Sequence, residues 1–273
     1  MYLLVVISLL LSSVPAQSRS IQDLIEKIRG KTGKITEKDD IPVSTLIETN
    51  QHAELELKKP LIMFDDIAVP NLLQNADPCV ARGCKWPSSS DGNVYVPYVI
   101  ENHYSQQEIE VIKKGMRSFS EVSCIRFVPH QGERNYLRIL SHSGCYSYLG
   151  RQLNAQVVSL QRVGCIYHNI VQHELLHALG FHHEQNRSDR DKYIRILYQN
   201  IIPEQEHNFK KTNTNNLGTP YDYNSVMHYR RYAFSRNNEP TMIPIPNPNA
   251  VIGGAQQMSQ NDINRINNLY CRK

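Results

Sequence analysis

Hydrophobic and polar positions in the middle of the chain follow first the period of a strand and then that of a helix. Residues Asn93 to Ile100 alternate apolar and polar side chains, as a half-buried strand does. Ser105 and Glu108 have the spacing of a capping box. The apolar side chains after them recur every three or four residues, at Ile109, Ile112, Met116 and Phe119. The pattern predicts a strand followed by an amphipathic helix.

Further short elements follow along the chain. Three β-prone runs lie between Gly, Pro or polar turns, at Cys124–Val128, Tyr136–Leu140 and Gln156–Leu160. One helix is predicted from Ile170 to Leu179, ending at Gly180, and another after the capping box of Ser259 and Asp262. The proline-rich stretch Thr241–Asn249 is expected to be an irregular surface loop and not a strand interior. Strands and helices in this order predict an α+β domain.

The chain begins with features of a secretory signal. Its first apolar run, Leu3–Leu11, is shorter than the roughly 20 residues that a membrane-spanning helix needs, so no membrane anchor is expected. Val14 and Ala16 stand at the two small-residue positions of a signal-peptidase site. We interpret residues 1–16 as a signal peptide, with a buried N-terminal strand or helix as the alternative. The protein is then expected to be secreted, directly or from secretory granules.

The next segment, residues 17–74, is highly charged and contains no Cys or Trp. A short amphipathic helix is predicted around Ile21–Ile28, followed by a polar linker and the apolar stretch Pro60–Pro70. We interpret this segment as a pro-region, with a disordered tail as the alternative. Residues 75–273 are then the mature domain.

Composition and charge narrow the function classes. The chain has 273 residues, of which 40% are hydrophobic and 21% charged, which is typical of a globular protein. The net charge is only +4, and no long block of like charges occurs. A nucleic-acid or anionic-membrane surface therefore has little support, and a protein or small-molecule substrate is favoured.

The cysteines fit an exported protein. There are six, at Cys79, Cys84, Cys124, Cys145, Cys165 and Cys271. An even number in an exported chain predicts three disulfides, and the pattern alone leaves 15 connectivities open. Cys79 and Cys84 are close enough in sequence to close a small local loop. A zinc-thiolate cluster is the competing interpretation, but the chain has no Cys-x-x-Cys pair to support it.

The most informative segment is His173–His183. On a helix, His173 and His177 lie one turn apart and present two imidazoles to one point. Gly180 can adopt a positive φ, turn the chain and return His183 as a third nitrogen ligand. Three neutral imidazoles favour zinc and leave one position for water.

Glu174 is the expected general base of this site. Next to His173 it cannot join the ligands, but its carboxylate can reach a water at the open position, take its proton and pass it to a leaving amine. This chemistry is amide hydrolysis. The alternative, a core helix whose histidines are merely hydrogen-bonded, leaves a carboxylate unexplained in a strongly apolar segment. The other eight histidines lack this spacing, so a surface or satisfied polar role is expected for them.

The His173–His183 segment is the zinc signature of metzincin proteases, and Ser225–Tyr229 looks like the Met-turn of that clan. Glu184 directly after the third histidine, Tyr221–Tyr223 and the Met-turn tyrosine resemble the astacin family, over essentially all of residues 75–273. The resemblance implies two lobes that flank an active-site cleft. The N-terminal lobe would hold a twisted sheet and the zinc helix, and the C-terminal lobe would be largely irregular.

The resemblance also implies roles for single residues. Met227 would form an apolar floor beneath the zinc, and Tyr229 would be a fifth zinc ligand that moves away to donate a hydrogen bond to the oxyanion. Glu184 would receive the new N-terminus after activation. The implied disulfides join Cys124 to Cys271 and Cys145 to Cys165. The pair Cys79 and Cys84 resembles the six-cysteine fish astacins, which include hatching enzymes.

Latency is a further implication of the family. Its zymogens replace the zinc-bound water with an aspartate of a Phe-x-Gly-Asp-Ile-like motif, and Asp66 resembles that aspartate. Here Phe64 is one residue closer to the aspartate than in the motif, and Asp65 stands where the family has Gly, so Asp65 could compete with Asp66 or distort the turn. The mature chain would begin near Asn75, where the preceding Gln74 does not suit a trypsin-like activating protease.

We therefore predict a secreted zinc endopeptidase made as a zymogen. Its expected partners are an activating protease and an extracellular protein substrate, with egg-envelope protein implied by the hatching-type relatives. A catalytically weak zinc-fold binding protein and a structural zinc protein are the alternatives. The first would normally have lost Glu174 or a ligand, and the second needs a fourth Cys or His. Asn186 also begins an N-glycosylation sequon that is either used or unused.

Overall fold

The computed structural model describes Asn50, residues 61–69 and residues 83–271. Nine strands lie in this part of the chain: β1 Leu61–Met63, β2 Ile67–Val69, β3 Val94–Ile100, β4 Ile125–Pro129, β5 Tyr136–Leu140, β6 Cys145–Tyr148, β7 Ala155–Leu160, β8 Ile194–Ile196 and β9 Met242–Pro244. The three α-helices there are α1 Gln106–Val122, α2 His168–Ala178 and α3 Gln260–Ile266. A π-helical turn, Asn267–Cys271, continues α3, and short 3₁₀ helices lie at Glu184–Asn186, Arg190–Lys192, Tyr198–Asn200 and Pro203–Phe209.

Seven strands form a mixed sheet in the order β1-β2-β6-β7-β5-β3-β4. Strands β7, β5, β3 and β4 run parallel to one another, whereas β6 is antiparallel to β7. Strand β2 pairs in parallel with the other edge of β6, with Ile67 opposite Ser147. The hairpin of β1 and β2 comes from the predicted pro-region, so this region adds two strands to the sheet of the predicted catalytic domain.

Helix α1 begins at the predicted capping box, in which Ser105 and Glu108 bond each other's backbone. Its buried face carries Ile112, Met116 and Phe119 at the predicted spacing. The same face carries Gly115, where an added Cβ would overlap a side-chain carbon of Val171 on α2. The absence of a side chain there lets the two helices pack closely and places α2 against the sheet.

Two hydrophobic cores support the structure. The first joins the sheet, α1, α2 and α3 and includes Met227. The second lies in the C-terminal part, among β8, β9, the 3₁₀ helices and the irregular segments, and includes Phe209, Tyr229 and Phe234. The expected α+β architecture, with a sheet-bearing N-terminal part and a largely irregular C-terminal part, is confirmed. The Met-turn contributes to both cores, because Met227 packs in the first and Tyr229 in the second.

The prediction for Thr241–Asn249 is wrong in part. Within this stretch β9 pairs antiparallel with β8, and Ile196 lies opposite Met242. The prolines leave this pairing possible because β8 and β9 form a sheet of only two strands, so a proline whose nitrogen faces away from the partner strand breaks no ladder bond. The rest of the stretch is irregular, as expected.

Disulfides join Cys124 to Cys271 and Cys145 to Cys165, the two pairs that the family resemblance implies. Cys84 is also disulfide-bonded, and its expected partner Cys79 lies outside the described residues. The predicted signal peptide and the helix around Ile21–Ile28 lie outside them as well. Within the described ranges, no helix has the length and apolar character needed to cross a bilayer.

Candidate metal centre

Helix α2 carries the first two histidines and ends where the sequence predicts. Gly180 has φ +98°, and the N–H of Phe181 reaches back to the carbonyl of Leu176 at 3.0 Å while the N–H of Gly180 bonds the carbonyl of His177 at 2.8 Å. These two bonds are the Schellman motif that terminates a helix at a left-handed glycine. The turn directs the chain back toward the helix and brings His183 to the site.

Side chains from distant segments satisfy the last carbonyls of α2. The indole of Trp86 donates to the carbonyl of Ala178 at 2.9 Å, and the hydroxyl of Tyr270 donates to that of Leu179 at 2.6 Å. Helix ends carry carbonyls without partners inside the helix, so these bonds remove a desolvation cost in the core. They also fix the end of α2 from which the turn to His183 begins.

The three predicted ligands meet in the interior. The ring centroids of His173, His177 and His183 lie 4.7 to 5.3 Å apart, and all three side chains are buried. Asp66 joins them from the hairpin of β1 and β2. Its carboxylate oxygens lie 3.0 to 3.2 Å from the Nε2 atoms of the three imidazoles. The four potential ligand atoms lie within 4.8 Å of one another.

The hydrogen bonds of the imidazoles show that this group suits a cation. Nδ1 of His173 faces the carbonyl of Val226 at 2.8 Å, and Nδ1 of His177 faces the carbonyl of Phe181 at 2.7 Å. A carbonyl only accepts, so both Nδ1 atoms carry the proton and both Nε2 atoms present lone pairs. These two Nε2 atoms are 3.1 Å apart and also face Asp66. Lone pairs that converge at this distance repel unless a positive ion lies among them.

The charge states agree with metal binding. Burial lowers the pKa of His177 and lowers that of His183 to about 4, so both rings are neutral, which is the form that ligates a metal. Nitrogen ligands from three imidazoles together with a carboxylate oxygen form a four-member set that zinc favours. The three histidines are therefore the zinc-binding site of the chain.

Glu174 lies on α2 beside the first histidine, with its side chain wholly buried. Within the described residues, neither of its carboxylate oxygens has a hydrogen-bond partner. Burial raises the pKa of this carboxyl well above its ordinary value, and the nearby charges of Asp66 and Asp65 add to the shift. A buried carboxyl with two open acceptor positions next to a metal group is suited to hold a water and exchange a proton with it.

The Met-turn fixes the floor of the site through its backbone. The carbonyl of Val226 accepts from His173, and the carbonyl of Met227 accepts from the N–H of Glu184 at 3.0 Å. Asp262 of α3 holds the turn, because its carboxylate accepts from the Ser225 hydroxyl at 2.6 Å and from the N–H of Val226 at 2.9 Å. The turn therefore orients one zinc ligand and the segment that follows the third.

Tyr229 contacts the segment that the sequence predicts to be a pro-region. Its ring centroid is 4.7 Å from that of His183, and its hydroxyl donates to the carbonyl of Phe64 at 2.7 Å. Its backbone is held on two sides, because its N–H donates to Gln185 at 3.1 Å and its carbonyl faces Nδ1 of His228 at 2.7 Å. Gln185 and His228 carry no sequence signal for this role, since their partners become evident only in the folded chain.

Glu184 is paired inside the chain. Its carboxylate accepts from Arg265 at 2.6 and 2.8 Å, from Arg187 at 3.3 Å and from the N–H of Asp222 at 2.7 Å. Burial raises the pKa of Glu184 to about 7, and the two arginines act in the opposite direction. Arg265 lies 81 positions along the chain from Glu184, so sequence spacing gave no sign of this contact.

Asn186, the asparagine of the predicted glycosylation sequon, is buried. The amide nitrogen of Asn186 donates to the carbonyls of Asn208 at 2.9 Å and Lys210 at 2.7 Å, and the side chain has no exposed surface. A glycan on this nitrogen would have to break both bonds and open the packing around them. We therefore expect peptide mapping of the folded protein to find Asn186 unmodified. Glycan occupancy in folded protein that binds zinc would contradict this arrangement.

Comparison with known proteins agrees with the geometry. Residues 83–271 match the model of the Astacin peptidase family. The chain is 44% identical to the low choriolytic enzyme of Oryzias latipes over 268 residues, covering 97% of this chain and 96% of that protein. It is 48% identical to the high choriolytic enzyme 1 of the same fish over 236 residues, covering 86% of each.

A solved structure supports the same assignment. The structure of high choriolytic enzyme 1, described as a hatching enzyme zinc-protease from Oryzias latipes, superposes with a TM-score of 0.69 at 52% identity. The match covers 72% of this chain and all of the other. The chain belongs to the astacin family and is a zinc metalloendopeptidase similar to the choriolytic enzymes.

Proposed function

We propose that this chain is a secreted hatching-type protease, made as a latent precursor that cleaves egg-envelope protein after its pro-region is removed. The observation that carries the latency is the position of Asp66, whose carboxylate lies among the three zinc-binding imidazoles. The substrate rests on similarity, since the relatives named above are choriolytic enzymes and one is described as a hatching enzyme.

The residues around the metal have complementary tasks in peptide hydrolysis. Zinc, when bound, polarises a carbonyl and makes water a stronger nucleophile. Glu174 takes the proton from the attacking water and delivers it to the leaving amine, and its buried, raised-pKa carboxyl suits both transfers. Tyr229 donates its hydroxyl hydrogen to the developing oxyanion. Met227 is buried in the first hydrophobic core and, as the family resemblance implies, would form the apolar floor of the site.

Latency has a second component in the sheet. Strand β6 has one edge paired with β7, and β2 of the pro-region occupies the other edge. An extended substrate would bind by adding a strand to this edge, so the pro-region blocks the backbone positions as well as the metal. The Tyr229 hydroxyl is also engaged, because it donates to the carbonyl of Phe64. The metal position is thus covered by Asp66, the edge of β6 by β2 and the Tyr229 hydroxyl by the carbonyl of Phe64.

Activation would remove this segment by a cut near Asn75, and the new N-terminus would approach Glu184. A cavity of about 90 Å³ beside Glu184 supports this proposal, with Arg187, Thr212, Asn216 and Arg265 among the residues that line it. The arginines already pair with Glu184 in the unprocessed chain. The arriving ammonium group must therefore share the carboxylate with Arg265 or displace it.

The alternative of a catalytically weak binding protein is not favoured, because His173, His177, His183 and Glu174 all lie in a geometry suited to catalysis. A structural zinc site is not favoured either. Its fourth ligand would belong to the domain itself, whereas Asp66 comes from the segment that we propose is removed.

The substrate proposal is tested with isolated egg envelopes. The activated enzyme is expected to solubilise envelope protein, to lose this activity in a chelator and to regain it with zinc. Casein and a fibrillar collagen serve as comparison substrates. Cleavage of casein without any attack on envelope protein would contradict the hatching role and leave the zinc peptidase assignment in place.

Replacing Tyr229 by Phe tests its role in oxyanion stabilisation. We expect kcat to fall about 10²- to 10³-fold with KM little changed, because the hydroxyl would act only in the transition state. Peptide hydrolysis by the activated enzyme measures both constants. Tyr232→Phe, an exposed tyrosine near the same turn, is the matched control. A Tyr229→Phe enzyme with unchanged kcat would exclude this role.

A further inference from the structure

Asn50, a residue of the predicted pro-region, lies on the edge of β6. Its side chain is buried, with 7% of its surface exposed. The amide oxygen accepts from the N–H of Cys145 at 2.8 Å, and the amide nitrogen donates to the carbonyl of the same residue at 2.8 Å. The amide nitrogen also donates to the carbonyl of Asp65 at 3.2 Å. A single side chain thus connects the sheet edge to the turn that precedes Asp66.

The contact of Asn50 with Cys145 continues, along the edge of β6, the hydrogen bonding that begins at Ser147 with the β2 segment. Alternate residues of a strand direct their N–H and C=O groups to the same edge, so Cys145 and Ser147 face the same side of β6. The N–H of Ser147 donates to the carbonyl of Asp66 at 2.9 Å, next to the start of β2. Asn50 bonds both backbone groups of Cys145, which is the pairing that a neighbouring strand would make. The amide therefore covers a part of the edge that β2 does not reach.

The position that Asn50 holds on β6 is rigid. Cys145 is wholly buried, is joined to Cys165 by a disulfide and pairs with Leu160 on β7. Because Cys145 belongs to the rigid sheet, its contact with Asn50 anchors the predicted pro-region to the sheet.

The turn at the other end of the contact needs support. Phe64 and Asp65 have φ of +53° and +73°, the left-handed region that costs free energy for residues other than Gly. This turn places Asp66 among the imidazoles, and Asn50 bonds the carbonyl of its second left-handed residue. An aspartate at this position tolerates the conformation better than most residues, and the hydrogen bond from Asn50 further stabilises it.

We propose that Asn50 is a latch that keeps the unprocessed chain inactive by holding the Asp65 turn, and with it Asp66, against the edge of β6. This inference rests on the proposed latency and assigns part of its regulation to a residue far from the aspartate in sequence. Asp66 then leaves the metal position only when the Asn50 contacts are lost as well as its own contacts. Once the pro-region is removed, Asn50 has no effect on catalysis.

Hydrogen exchange in the full chain tests the latch without interference from self-cleavage. The experiment uses zinc-loaded protein that carries Glu174→Gln, with and without Asn50→Ala. We expect exchange at the amides of Cys145, Ser147 and residues 66–69 to become at least about tenfold faster, because three hydrogen bonds are lost. Amides of β3 and β5 should keep their rates, which shows that the domain remains folded. Unchanged exchange at Cys145 and residues 66–69 would overturn the proposal.

Two further variants separate the latch from a general loss of a side-chain amide that bonds the backbone. Asn50→Asp keeps the acceptor for the N–H of Cys145 but loses both donated bonds, so it should also speed exchange. Asn200→Ala is the control in the C-terminal part, since the amide nitrogen of Asn200 donates to the carbonyl of Pro240 and its amide oxygen accepts from the side chain of Asn237. Asn200→Ala should leave residues 66–69 protected, and an equal effect of both alanine variants would contradict a specific latch.

An activity measurement distinguishes failure of the latch from failure of the proposed latency. In chains with Glu174 intact, initial hydrolysis of a short peptide is measured before any cleavage of the pro-region. We expect Asn50→Ala and Asp66→Asn each to raise this rate, and enzyme activated from either chain to match the wild type. If only Asp66→Asn raises it, the latch is wrong and the latency stands. If neither does, the latch is wrong and Asp66 is not the group that keeps the unprocessed chain inactive.

Discussion

Replacing Glu174 by Gln in the activated enzyme is expected to lower kcat/KM for peptide hydrolysis by about 10²- to 10⁴-fold, the usual contribution of a general acid-base group. The amide has the same shape but cannot accept and return a proton. Both carboxylate oxygens of Glu174 lie in the interior, and the side chain is not among the four groups that converge on the metal position. Zinc content should therefore stay at one ion per chain.

The melting temperature of the Glu174→Gln protein shows whether a loss of activity comes from the missing carboxyl or from damage to the fold. Burial disfavours the charged form of this carboxyl, so a neutral amide should leave the melting temperature equal or higher. Glu206→Gln, at an exposed position, is the control and should retain full activity. An inactive variant that had also lost zinc would point to damage of the metal site. Full activity with bound zinc would refute the role of Glu174.

The zinc centre could be predicted because most of its determinants are local. The spacing of His173 and His177 is a property of one helical turn, and Gly180 marks the end of that helix. The return of His183 follows from the same turn, and both backbone bonds of the motif join residues within five positions of each other. Such features depend little on the rest of the fold, so they can be predicted from the local sequence.

Contacts between distant segments could not be predicted in the same way. Arg265 and Glu184 meet because α3 packs behind the Met-turn, and Asn50 meets Cys145 across 95 positions. Nothing in the local sequence of either partner marks these pairs. The short strands β6 and β8 were also missed, since three or four residues give too little alternation to reveal a period.

The position of Asp65 shows how the fold resolved a question that the sequence left open. Two adjacent carboxylates could each have approached the metal, and the family motif has Gly at the first of them. In the structure Asp65 adopts the left-handed conformation that Gly would supply, and Asp66 alone is grouped with the three histidines. The substitution for Gly therefore preserves the turn instead of competing for the site.

The different positions of Asp65 and Asp66 predict that substitutions of the two residues have different effects on latency. Asp66→Asn in the full chain should raise peptidase activity before any processing by about 10²-fold or more. The change removes the negative charge that faces three imidazoles and the metal, and disruption of a buried charged contact costs roughly 3–5 kcal/mol, where each 1.4 kcal/mol is a factor of ten. The asparagine keeps the volume of the side chain, so the β1 and β2 hairpin should still form.

Asp65→Asn is the matched control, because asparagine tolerates the left-handed conformation as well as aspartate does and Asp65 is not a member of the group that Asp66 forms with the three histidines. Initial rates on a short peptide are compared for the two intact chains, with mass spectrometry to verify that the pro-region is still attached. Latency should be lost in Asp66→Asn and retained in Asp65→Asn. An equal gain in both would mean that turn geometry, and not the carboxylate at the metal, keeps the chain inactive. A lack of gain in either would place the block in the strand pairing of β2 with β6, which leaves the substrate edge covered even when the metal is free.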